Sequence, residues 1–184
     1  TPRSCRPRVG AAAGTSRPFR RVSPREDEKF RTCIPLTTIQ AAAGAFADGR
    51  LVEELGEGAE WVEPNTSRKL CRGMFVAQIT SKSMEPLVHD RDFCLFRIYE
   101  GGSRQDKDVL TLLRDDRDPE TGGSFTLKRY HRTGERVEGT EEQPIRIELR
   151  SLNPEVPGIS LELRDENELE TIAWFVERLA GSDE

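Results

Sequence analysis

No run in this chain approaches the roughly 20 consecutive apolar residues that a membrane-crossing helix needs, and no charged start followed by an apolar stretch marks a secretory signal. Cysteine is sparse. Cys5, Cys33, Cys71 and Cys94 stand without a CxxC pair, and with only His89 and His131 beside them they make no zinc-ligand spacing. No metal and no cofactor is expected. The dispersed thiols point to a reducing compartment, so a cytoplasmic location is the expectation. Cys94, inside Phe93-Cys94-Leu95-Phe96, reads as a small buried hydrophobe rather than a reactive thiol. At 184 residues there is room for one domain with a core plus a tail, and too little for two enzymatic domains. The absence of an initial methionine suggests a piece of a longer protein or a processed product.

Charge is uneven along the chain. Of 28 basic and 33 acidic side chains, residues 1–33 hold nine basic against three acidic, so the remainder carries 19 against 30. An acidic body offers no electrostatic footprint for a nucleic-acid backbone, whereas an arm bearing Arg3, Arg6, Arg8, Arg17, Arg20 and Arg21 could reach phosphates. Residues 1–33 are rich in Pro, Arg, Gly, Ala and Ser without hydrophobic periodicity, and a disordered basic arm or linker is expected there, with one folded domain over 34–184. Residues 35–43 read as a short strand feeding small residues, 51–55 and Trp61-Val62 as strand-like, and 75–79, 93–98, 109–113 and 124–130 as strands. Residues 145–149 and 159–163 alternate apolar and polar as half-buried strands do. Leu169, Ile172, Ala173, Val176 and Leu179 fall at helical spacing, predicting an amphipathic C-terminal helix over 165–180. The expected fold is mostly β with one C-terminal helix.

The chemistry centres on Ser83-Met84-Glu85-Pro86, set between two apolar runs, and on Phe125-Thr126-Leu127-Lys128-Arg129-Tyr130 further on. A serine hydroxyl is protonated at neutral pH and becomes a nucleophile only when a neighbouring group takes its proton during attack. A neutral amine can do so. An unperturbed lysine titrates near about 10.4, so the protein has to bury the amine among apolar groups to make Lys128 a base. Backbone N–H groups of Lys82 and Ser83 would form the oxyanion hole. Alternation sets Phe125, Leu127 and Arg129 on one face and Thr126, Lys128 and Tyr130 on the other, which leaves open whether Lys128 faces the groove or solvent. Lys82 is a poor base for the residue next to it, because adjacent side chains on an extended chain point apart. A Ser-His pairing through His89 or His131 lacks an evident carboxylate.

These pieces resemble the LexA-type and UmuD-type serine peptidases, which share their catalytic fold with the signal peptidases. Three elements match in order between about residues 34 and 163: an Ala-Ala-Gly site, the Ser-Met-x-Pro turn, and the Lys-Arg pair on a strand. The resemblance implies a twisted β-sheet or partly open barrel, a Ser83/Lys128 dyad, and self-cleavage at Ala43-Gly44. Small side chains there would let an extended strand enter a narrow groove and pair with a sheet edge. Ala11-Ala12-Ala13-Gly14 repeats the letters, but Leu36, Thr38 and Ile39 favour the second copy by their strand character. Expected partners are a peptide strand in cis or in trans, a second copy in a homodimer, and a fused or separate DNA-acting protein of the DNA-damage response, with no membrane. Gly102-Ser103-Arg104-Gln105 and Asp118-Pro119-Glu120-Thr121-Gly122-Gly123 are also similar to the peptidase-like C-terminal domain of some bacterial helicase-type proteins, a likeness that says little about chemistry. The alternative is a non-catalytic regulatory or interaction module of the same fold. Two departures stand out. Ser81 replaces a glycine two residues before the serine, and Arg91 replaces the glycine of an Asp-Gly-Asp turn, where a positive φ would cost about 1 kcal/mol or more.

Overall fold

The computed structural model describes residues 17–47, 58–113, 117–133, 145–165 and 168–179. The segments 51–55 and 1–16, and the turn expected at 134–135, lie outside the described residues. Every other apolar run read as a strand pairs into one sheet. Its strands are β1 (Phe19–Val22), β2 (Ile34–Leu36), β3 (Glu60–Pro64), β4 (Met74–Gln78), β5 (Phe93–Ile98), β6 (Asp108–Leu112), β7 (Phe125–Thr133), β8 (Ile145–Arg150), β9 (Ile159–Leu163) and β10 (Glu170–Arg178). They are ordered β1-β3-β2-β4-β5-β10-β6-β7-β8-β9, and all neighbours run antiparallel except β2 with β4. Among the described residues β1 and β9 end the sheet, which is mixed.

The expected C-terminal helix is a strand instead. β10 lies between β5 and β6 at the centre of the sheet, where both faces are covered, so its sequence carries no clean alternation. Register shifts between Thr171 and Ala173 against β6, and between Phe175 and Glu177 against β5, put neighbouring residues on unexpected sides and imitate a helical spacing. Thr171, Ile172, Trp174, Phe175 and Val176 are β-branched or aromatic, which suits a pleated surface. Conversely, the strand expected over 35–43 ends early. β2 stops at Leu36 and α1 (Ile39–Ala47) begins, because Thr38 Oγ1 accepts from the Ala41 N–H at 3.1 Å as a cap and the alanines that follow have the highest helix propensity.

The arm expected to lack structure is ordered from residue 17. β1 pairs with β3 from Phe19 opposite Pro64 to Val22 opposite Trp61, and Arg20 and Arg21 form ion pairs with Glu63 and Glu60 rather than standing free for phosphates. Phe19 meets Phe93 edge-on with ring centroids 4.9 Å apart, and Phe30 meets Trp61 at 5.1 Å. Such pairing is non-local, so a window over the arm cannot show it.

Among the described residues three clusters make the core. The one that bears on function joins Ala42 and Ala43 of α1 with Phe75, Ile79, Met84, Val88, Phe96, Leu127 and Ile172. A second gathers Ile34, Val62, Val76 and Leu95, and a third Val109, Tyr130, Ile147 and Leu149. Buried Arg104 donates to the Leu169 carbonyl at 3.1 Å and to Thr171 Oγ1 at 3.0 Å, and stacks its guanidinium 5.0 Å from the Tyr130 ring, which ties the turn after β5 to the start of β10.

Candidate active site

Ser83 follows β4 on a tight double turn. Glu85 N–H donates to the Lys82 carbonyl at 3.1 Å, and the Leu87 and Val88 N–H groups donate to the Met84 carbonyl at 2.9 and 3.0 Å. Met84 points into the core beneath the turn and the Glu85-Pro86 peptide is cis. From outside, residues 152 and 153 hold the turn in place: their N–H groups donate to the Ser83 carbonyl at 2.8 and 3.0 Å, and Asn153 Nδ2 donates to the Lys82 carbonyl at 3.2 Å. The loop after the turn keeps the geometry that a glycine would favour. Arg91 sits at φ 67°, with its N–H donating to the Ile79 carbonyl at 2.7 Å.

Lys128 lies within β7 opposite Val109 of β6, on the same face as Thr126. Both faces of β7 are covered there, since Leu127 packs in the cluster around Met84 and Tyr130 in the cluster around Ile147. Ser83 and Lys128 are each 0% exposed. The Ser83 hydroxyl donates to the Leu127 carbonyl at 3.3 Å, so it rests against the strand that bears the lysine. Lys128 Nζ donates to Ser151 Oγ at 3.2 Å and lies 3.3 Å from Asp118 Oδ2. The hydroxyl thus rests on the backbone of the residue before Lys128, while the amine is held by Ser151 and Asp118, with no direct hydrogen bond between the two groups.

Asp118, Glu120 and Ser151 were not legible in the sequence as parts of this site, and Ser81 was legible only as a departure from an expected glycine. Asp118 and Glu120 sit in a loop that reads as a plain turn, and it is one: Asp118 N–H donates to the Gly123 carbonyl at 2.9 Å and Gly122 N–H to the Asp118 carbonyl at 2.8 Å, with Gly122 at φ 67°. Asp118 Oδ1 takes the Glu120 and Thr121 N–H groups at 3.0 Å each, and Oδ2 takes the Thr126 hydroxyl at 2.6 Å. Burial pushes the Asp118 carboxyl up. The Thr126 hydroxyl, the Thr121 N–H, the charge of Lys128 and the Glu120 N–H outweigh burial and hold it below the usual carboxylate value.

Beyond Asp118, the loop reaches the serine turn. Glu120 Oε1 accepts the Lys82 N–H at 2.6 Å and Glu120 Oε2 accepts the Ser81 hydroxyl at 2.7 Å. Ser81 Oγ in turn accepts the Ser83 N–H at 3.0 Å and lies 2.9 Å from Ser83 Oγ. Both backbone donors singled out as an oxyanion hole, at Lys82 and Ser83, are therefore engaged within the chain. Ser81, which departs from the expected glycine, supplies one of those contacts.

Ala43 and Gly44 lie inside α1, with Ala43 4% exposed in the cluster that contains Met84. A peptide bond in a helix has its backbone groups committed to the helix and cannot pair with a sheet edge. Beside the serine turn, a groove of about 560 Å³ runs between the start of α1, the end of β4 and the loop to β7, lined by Thr37, Thr38, Gln78, Thr80, Thr121 and Phe125 among others. A larger hollow of about 820 Å³ lies against β1, with Arg17, Phe19, Arg21 and Glu63 in its wall; neither hollow is lined by Ser83, Lys128, Lys82, Ala43 or Gly44, and the smaller one comes nearest the serine turn at Thr80.

Each histidine has a carboxylate partner after all, His131 with Asp106 at 2.8 Å and His89 with Asp92 at 3.5 Å, but neither imidazole is bonded to Ser83. Among the described residues no group of three or more His, Cys, Asp or Glu is arranged to hold a metal ion, and no helix is long and apolar enough to cross a membrane. A search of curated proteins finds no significant match to the chain. A family model described as Peptidase S24-like matches residues 35–176, from β2 into β10. That family implies hydrolysis by a Ser/Lys dyad. Since the match spans most of the chain and takes in both the serine turn and the lysine strand, the chain belongs to the Peptidase S24-like family, the LexA- and UmuD-type peptidases.

Proposed function

We propose that the chain is a serine endopeptidase in which Ser83 is the nucleophile and Lys128 the general base. The observation that carries this reading is a lysine with no exposure on the strand whose Leu127 carbonyl receives the Ser83 hydroxyl at 3.3 Å. At rest Lys128 pairs with the Asp118 carboxylate at 3.3 Å, so attack needs that amine without the proton of the ion pair and the Ser83 hydroxyl turned away from the Leu127 carbonyl; the Ser83 oxygen then forms a bond to the scissile carbonyl carbon while its proton passes to Lys128. The carbonyl oxygen becomes an oxyanion facing the Lys82 and Ser83 N–H groups. The proton then goes from Lys128 to the leaving nitrogen, the C–N bond breaks, and an acyl group remains on Ser83. Lys128 next takes a proton from water as the water oxygen attacks the acyl carbon, and returns it to Ser83. Ser151 holds the amine from behind, with its own hydroxyl proton committed to the Pro157 carbonyl at 3.1 Å.

The groove of about 560 Å³ beside the turn is where a peptide strand, in cis or in trans, would lie. Cutting the chain itself at Ala43-Gly44 requires α1 to unwind first, which makes self-cleavage conditional. Incubation of the purified chain at mildly alkaline pH, followed by intact mass measurement, is expected to yield slow fragmentation that Ser83→Ala abolishes. Identical fragments from Ser83→Ala would exclude the dyad. The buried and fully bonded serine also fits a second reading, a regulatory module of the same fold that binds a strand or a DNA-acting partner without cutting it. On that reading Ser83 never becomes covalently modified by a serine-reactive probe, and tight partner binding survives Ser83→Ala.

A further inference from the structure

The loop 118–123 touches both halves of the proposed machinery, and nothing in the hydrolytic cycle uses it. Its Asp118 is fixed at one end by Thr126 at 2.6 Å and by Lys128 at 3.3 Å. Its Glu120 holds the Lys82 N–H at 2.6 Å and the Ser81 hydroxyl at 2.7 Å. Donors that stabilise a tetrahedral oxyanion stand about 2.7–3.1 Å from it, so the Glu120 carboxylate keeps nearly the distance from the Lys82 N–H that a reacting oxygen would keep. A carboxylate in that place imitates the oxyanion and excludes it, because a second negative oxygen beside it would be repelled. Through Ser81 the same carboxylate engages the hydroxyl that accepts the Ser83 N–H at 3.0 Å, so one side chain occupies one oxyanion donor directly and the other at one remove.

We infer that Glu120 is an intramolecular plug of the oxyanion site, carried on a loop that Asp118 anchors to the lysine strand. The peptidase then rests closed, and opens when the backbone of an incoming strand displaces the carboxylate from Lys82. Thr121, the next residue of the loop, lines the groove where that strand would lie, so occupation of the groove bears directly on the plug. Glu120 is partly exposed and belongs to none of the three core clusters. This inference rests on the reading of Ser83 as nucleophile.

The test compares labelling of the full chain by a small fluorophosphonate, with the modified residue identified by mass, in the wild type, Glu120→Gln, Glu120→Ala and Ser83→Ala, each checked for an unchanged melting temperature. The wild type should label slowly at Ser83. Glu120→Ala should label faster, by roughly tenfold up to the 10²–10³-fold that a single oxyanion donor carries. Glu120→Gln, which keeps an acceptor and loses the charge, should fall between, and it alone decides the matter if Glu120→Ala does not fold. Equal rates in wild type and Glu120→Ala, with Ser83 modified in both, would overturn the plug and leave the nucleophile standing. A slower Glu120→Ala would show that Glu120 supports the serine turn instead of blocking it. Folded variants that never carry the label on Ser83 would overturn the reading of the nucleophile, and the plug with it.

Discussion

Removing Asp118 should cost far more stability than removing Lys128, although the two form one buried ion pair. The partners each would leave behind decide this. Without Asp118, Lys128 keeps one side-chain hydrogen-bond partner among the described residues, Ser151 Oγ at 3.2 Å, at 0% exposure. An uncompensated buried charge of this kind costs about 3–5 kcal/mol. Without Lys128, Asp118 keeps the Thr126 hydroxyl at 2.6 Å and two backbone N–H groups at 3.0 Å. Lys128→Met, which fills much the same volume, should therefore cost only about 1–2 kcal/mol. The expected gap between Asp118→Ala and Lys128→Met is about 2 kcal/mol, with the double variant no less stable than Asp118→Ala alone. Urea titration followed by the fluorescence of Trp61 and Trp174 measures both, and an unchanged slope would show that the unfolded state is not responsible. The pH dependence has a definite sign. The Asp118 carboxyl is held below its unfolded value, so its contribution is complete above about pH 4 and disappears as pH falls through the lowered folded value. Asp118→Asn should remove that part of the acid destabilisation. A Lys128→Met variant that loses as much as Asp118→Ala would refute the assignment of the three remaining donors to Asp118.

Three further outcomes follow from local features. Arg91 holds φ 67°, and Arg91→Gly should stabilise the chain by up to about 1 kcal/mol, since the relief of a left-handed side chain, about 1–2 kcal/mol, exceeds the added freedom of glycine in the unfolded state; thermal unfolding that shows a clear loss would contradict this. Thr111 Oγ1 is buried in β6 without a hydrogen-bond partner, so Thr111→Val, which replaces the hydroxyl by a methyl of similar size, should raise stability by about 1 kcal/mol in the same assay. Burial pushes the Cys94 thiol far up, assisted by the charge of Asp92 and opposed by that of Arg178, so Cys94 should resist an aromatic disulfide reagent until the chain unfolds, whereas the half-buried Cys71 should react in the native state.

What could be read from the sequence divides by the range of the interaction. Segments 145–149 and 159–163 have one covered face, so their alternation survives as β8 and β9, and the dense apolar run at 93–98 coincides with β5. β10 was misread because a strand covered on both faces loses its period and two bulges replaced it with a helix-like one. α1 was misread because the strand character of Leu36 and Ile39 weighs less than a capping threonine followed by alanines. At the site, Ser83 and Lys128 could be singled out from the sequence because a serine on a turn and an amine in an apolar strand are local patterns. The carboxylates of Asp118 and Glu120 were not, since each acts on a residue brought near only by folding: Thr126 and Lys128 across a hairpin, and Lys82 from 38 positions away. The unusual Ser81 was visible as a departure, but its part in relaying Glu120 to Ser83 needed the folded turn.

The central claim is that the Lys128 amine activates the Ser83 hydroxyl, and the most direct measurement is the intact mass of the chain after prolonged exposure to a fluorophosphonate, with the site found by fragment mass. The account predicts one adduct, on Ser83, in the wild type, and none in a folded Lys128→Met variant. An adduct on Ser83 that forms at the same rate without Lys128, or one that forms on a different residue, would contradict it.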